Sequence, residues 1–86
     1  MESGFNIISE KLIDVSSANY EDNQGFFFHS TVGGVIKYVP LGNTDAGTGI
    51  ITKTFDASES FNNVIIAKKI YSADTTATGI YVGKPR

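Results

Sequence analysis

The chain has 86 residues, seven Lys and Arg against nine Asp and Glu, one histidine and no cysteine. This excludes disulfides and thiolate metal sites and makes a histidine-based zinc centre untenable within one chain. A net charge of −2 with no basic cluster longer than Lys68-Lys69 argues against a nucleic-acid backbone as partner.

One domain fits this length. Surface scaling gives about 4,900 Å² folded against about 13,300 Å² extended, a thin core for a single chain, and self-association is the remedy left open. The start, Met1-Glu2-Ser3-Gly4, lacks a basic region followed by an apolar run, so no signal peptide is expected. No apolar run reaches membrane-spanning length, and no membrane partner is expected.

In chain order, residues 1–4 read as frayed, and the first ten as an arm. Phe5 to Val15 is ambiguous by periodicity. A strand over Lys11–Val15 is the first reading and a helical turn at Ile8–Glu10 the second. Asn19 to Gly25 is rich in turn formers and reads as a polar loop. Gly25 to Val32 then reads as a strand with three consecutive rings. Alternation places Phe26, Phe28 and Ser30 on one side and Phe27, His29 and Thr31 on the other. A ring on both sides implies either a second buried contact with another chain or a ring covering a sheet edge.

Gly33-Gly34 lies between this strand and Val35–Leu41, which predicts a two-residue hairpin, since both central positions of a type I′ turn need positive φ. Pro40 marks a strand end or an edge. Residues 42–49 form a Gly-rich loop, Ile50–Phe55 a two-faced strand, and 56–60 a connection. Val64–Tyr71, dense in β-branched residues, predicts a long strand. A polar turn with Asp74 at its centre and a closing strand Ile80–Val82 complete a terminal hairpin, and residues 83–86 form a polar tail. The expected fold is all-β, a small antiparallel sandwich or barrel of about six strands.

Motifs for chemistry are weak. His29 has no Gly-x-Ser-x-Gly elbow to serve, so a strand role outweighs a catalytic one. Asp45, Asp56, Glu59 and Asp74 all fall in loops, where turn formation explains the aspartates. The stretch 42–47 lacks the Asp ladder of a calcium loop, and Gly47-Thr48-Gly49 lacks the third glycine and helix of a phosphate cradle. No cofactor or metal is expected. Tyr20, Tyr38, Tyr71 and Tyr81 could form a sugar-stacking face, although core packing is their commoner use. Lys68 and Lys69 interrupt an apolar strand, either as an edge guard or as ion-pair donors to a neighbouring subunit through Asp56 or Glu59.

A run of these features, Phe26-Phe27-Phe28, Gly33-Gly34, Val35–Val39, Gly47-Thr48-Gly49, Ile50-Ile51, Val64–Tyr71 and above all Asp74-Thr75-Thr76-Ala77-Thr78-Gly79-Ile80, resembles small structural proteins of tailed-phage virions, of the spike-base or capsid-decoration kind. The resemblance spans about residues 26–83. It implies a non-enzymatic protein, made in the host cytoplasm and located in the virion. Such a protein forms homo-oligomers, trimers in this reading, and contacts other virion proteins. Phe26, Phe27, Phe28, Tyr38, Lys68, Lys69, Tyr71 and Tyr81 are the residues expected at an oligomer or partner interface. A carbohydrate- or host-surface-binding β module is the alternative.

Overall fold

A computed structural model describes residues 7–58 and 65–85. They form one antiparallel sheet of five strands: β1 (Ile7–Ile13), β2 (Tyr20–Pro40), β3 (Ile51–Phe55), β4 (Ile66–Ile70) and β5 (Thr78–Pro85). The fold is all-β, as the alternating and β-branched stretches require. Residues 7–10 of the expected arm are ladder residues of β1, paired to β5. Val64, the expected start of the long strand, and Glu59 lie outside the described residues.

The organising element is β2, 21 residues long. Its first part pairs with β5 through Phe27–Ser30, and its last part pairs with β3 through Gly34–Tyr38. β4 pairs with both ends, Tyr20 and Tyr38 each opposing Ile70. A strand can lie beside both ends of another only if the longer one coils, so the sheet curls on itself around a core. Phe26, Ile36, Ala67 and Ile70 are fully enclosed there, with Phe28, Tyr38, Ile80 and Val82 almost so. Ring pairs knit that core, among them Phe28 to Tyr38 at 5.2 Å and Phe28 to Phe55 at 5.5 Å.

The glycine pair is where β2 bends. Gly33 and Gly34 do take positive φ, 86° and 131°. The chain does not reverse there, however, and the expected hairpin is a bulged bend within one strand. Ser30 holds it: its Oγ accepts from the N–H groups of Val32 (3.3 Å) and Gly33 (2.9 Å) and donates to the Thr78 carbonyl at 2.5 Å. Both glycines are also crossing points. A Cβ on Gly33 would stand 2.9 Å from the Ala57 nitrogen, and one on Gly34 3.0 Å from Ala77 main chain.

Three further expectations change. β4 and β5 are not a hairpin, because each pairs with β2 instead of with the other. The residues between them continue along the same edge of β2. Tyr71 N–H donates to the Lys37 carbonyl (2.8 Å), Thr76 N–H to that of Val35 (2.8 Å), and the Thr75 and Thr76 hydroxyls accept from Lys37 and Val35 N–H. Tyr20 and Glu21, assigned to a loop, pair with Ile70 and Lys69, and the polar residues 22–25 form a bulge in the register. Gly83 to Pro85, read as a tail, are strand residues paired to β1.

Candidate functional site

The aromatic strand has both faces buried by its own chain. Phe26 and Phe28 enter the core, while Phe27, on the opposite face, is only 4% exposed. Tyr38 is likewise interior, and burial pushes its phenol pKa up. These four residues, expected at an interface, have almost no surface to lend one.

Beside Phe27 lies His29. Its Nδ1 is 2.9 Å from the Ser58 carbonyl oxygen, and its ring stacks on Tyr81 at 5.5 Å. A carbonyl can only accept, so Nδ1 carries a proton. Nε2 lies 3.7 Å from the Glu10 carboxylate. Ser58 meets the imidazole through its main-chain carbonyl, and the Ser30 hydroxyl is engaged in the bulge. A cavity of about 340 Å³ adjoins His29, with Lys53, Asp56 and Ser58 in its wall. Among the described residues no three His, Asp or Glu side chains converge on a possible metal position.

A second cluster is polar. Asp45, from the loop after β2, accepts from Lys69 Nζ at 2.9 Å and from the Tyr71 hydroxyl. Both bonds hold its carboxyl below the usual aspartate range, the tyrosine contributing more. The same carboxylate raises the pKa of Lys69 and of Tyr71. The Tyr71 ring lies between two ammonium groups, Lys69 at 4.5 Å and Lys37 at 5.1 Å, and Lys37 is tied to Asp74 at 3.3 Å. Lys69 therefore pairs with Asp45 and Glu21 of its own chain. β4 lies between the two ends of β2, so Lys68 and Lys69 do not guard an edge. Among the described residues the edge strands are β1 and β3, and each carries a lysine laid over a ring: Lys11 over Tyr20 and Lys53 over Phe55. A charge so placed discourages ladder-to-ladder association.

The four tyrosines make no common face. Tyr20 packs edge-on against Phe26, Tyr38 is in the core, Tyr71 is held by lysines and Tyr81 covers His29.

The surface that remains apolar is elsewhere. A groove of about 650 Å³ opens where β1 ends and β5 begins, with Leu12, Val15, Thr76, Ala77 and Ile80 in its wall. One wall is set by Asp14, whose Oδ1 accepts from Ser16 N–H at 2.9 Å and whose pKa is lowered by that bond. The other is set by Gly79, φ 61°, where a Cβ would meet the Thr31 hydroxyl. Leu12 is 59% exposed in this groove, and Val32, 63% exposed, stands against Gly79 at its border. Neither residue was singled out from the sequence. Leu12 alternates correctly for a strand, but nothing local says which face of β1 is covered.

No protein-family model, curated protein or solved structure matches the chain.

Proposed function

We propose that this protein is a non-enzymatic structural component of a tailed-phage virion, of the capsid-decoration or spike-base kind, working as a homo-oligomer, a trimer in the first instance, that contacts other virion proteins. The observation that carries the self-association is the exposure of two large apolar side chains, Leu12 in the wall of one groove and Val32 beside Gly79, which also lines it. Exposed apolar surface, where it is grouped, marks interaction sites. The guarded edges direct association to the groove rather than to extension of the sheet. The virion assignment rests on the likeness of Asp74–Ile80 and of the strand and loop order before it.

Light scattering at micromolar concentration tests the oligomer. The expected result is a mass several times that of one chain, and a melting temperature that falls on dilution. Leu12→Asp and Val32→Asp should each return the protein to monomer with an unchanged β circular-dichroism spectrum. A parent protein that stays monomeric at every concentration would remove the proposal.

A further inference from the structure

The loop Leu41–Ile50 is built differently from the rest of the chain. Its 3-10 turn, Gly47–Gly49, contains no buried residue, and residues 44–48 are all exposed. Its own bonds give it shape: Asn43 N–H donates to Pro40 (3.0 Å), Asn43 Nδ2 to the Gly49 carbonyl (3.1 Å), and Gly49 N–H to Ala46 (3.0 Å). Among the described residues, the side-chain hydrogen bonds from this loop to the sheet are those of Asp45 to Lys69 and Tyr71. Leu41, whose N–H donates to the Ile66 carbonyl at 2.9 Å, and the half-buried Ile50 hold the two ends of the loop. The exposed stretch between them has no apolar anchor and stays docked only as long as its polar fastening does, and low-stability segments of this sort open separately from the core.

We propose that the middle of the Leu41–Ile50 loop, residues 43–49, is a releasable strap, fastened by Asp45 in a clasp made by Lys69 Nζ and the Tyr71 hydroxyl. The clasp is prepared from several elements. β4 supplies Lys69, whose ammonium is also 3.6 Å from Glu21 of β2. Lys37 of β2 lies over the Tyr71 ring at 5.1 Å and is itself held by Asp74. Lys68 adds its charge to the field at Asp45. With the strap docked, Asp45 neutralises this group. With the strap off, the Tyr71 hydroxyl loses its acceptor, Lys69 keeps Glu21 and Lys37 keeps Asp74, and the charge of Lys68 is left unmatched by Asp45. The raised pKa values of Lys69 and Tyr71 and the lowered one of Asp45 all have the direction that a docked strap requires. Nothing in this depends on self-association, and a monomer would show it equally.

Native-state hydrogen exchange on the full chain and on Asp45→Asn reads the fastening. Exchange of the Gly49 and Ile50 amides, both bonded within the loop, should speed up at least about ten-fold in the variant, while the Ile36 and Tyr38 amides keep their protection. Equal loop protection in the two proteins would overturn the proposal, because the loop would then be held by something else. A second variant guards against a general loss of fold: Tyr71→Phe removes one arm of the clasp and should give an intermediate acceleration. The Tyr71 phenol should also titrate lower in Asp45→Asn than in the parent, and an unmoved titration would mean that the two groups do not share a proton bond in solution.

Discussion

The bend at Gly33-Gly34 and the strap in the Leu41–Ile50 loop sit at opposite ends of the same half of β2, and they are fixed by different physics. The bend is determined by contact: two glycines with positive φ, main chain crossing at about van der Waals distance on both sides, and a buried serine closing three polar groups at once. The strap is determined by charge, with one exposed carboxylate holding a segment whose middle, residues 44–48, is all exposed. A bend of the first kind cannot open without the sheet opening. A strap of the second kind can leave while the sheet stays intact, and its docking depends on conditions outside the protein.

Gly34→Val should give the largest effect that separates the two. Valine at φ 131° is strained, and its Cβ would begin 3.0 Å from the Ala77 backbone. Backbone strain and overpacking together cost about 3 kcal/mol or more. For a domain of this size each kcal/mol lowers the melting point by roughly 4–8 °C, so thermal unfolding by circular dichroism will show it plainly. An unchanged midpoint would mean that the strand does not pass this point as described.

Ser30→Ala comes next. It leaves the Val32 and Gly33 N–H groups without their shared acceptor and the Thr78 carbonyl without its donor. Unsatisfied buried groups cost about 1–3 kcal/mol. Urea unfolding should show a lower midpoint at an unchanged slope, and Ser30→Thr, which keeps the hydroxyl, should recover part of the loss. Recovery by neither size nor hydroxyl would mean that Ser30 merely fills space.

The same contrast explains what the sequence discloses and what it hides. Strand segments are legible because β-branched and aromatic residues favour a pleated surface wherever it lies. Phe26–Val32, Val35–Pro40, Ile51–Phe55, Ile66–Ile70 and Ile80–Val82 are all in strands. Connections are not legible. Gly33-Gly34 needs positive φ in a hairpin and in a bulge alike, so the local requirement is the same and only the strands beside it decide. Those strands, β5 and β3, come from more than fifteen residues further along the chain. Lys69 reads as an edge guard until β4 is seen to pair on both sides. Asp45 looks like one more turn former, and its role depends on Tyr71, 26 positions away. Leu12 is hidden for a related reason: alternation gives two faces to β1 and does not say which one the fold leaves bare.

The smallest effect, and the one that tests the strap without mutation, is its response to pH. Asp45 has a lowered folded-state pKa, so its contribution is present above its unfolded value of about 4 and lost as pH falls through the lower folded value. Lys69 and Tyr71 have raised values, so theirs are present below about 10 and lost as pH rises through the folded ones. The clasp is therefore closed across the neutral range and opens at both extremes. Asp45 is exposed while Lys69 and Tyr71 are partly covered, so added salt should weaken the fastening in part. The bend, made of neutral hydrogen bonds and steric contact, has no reason to respond to either. Loop amide exchange corrected for its intrinsic pH dependence should thus rise towards acid and with salt, while the amides of Ile36 and Tyr38 remain protected. Parallel loss of protection at both places would show that the strap and the bend open as one unit and that the distinction between them is false.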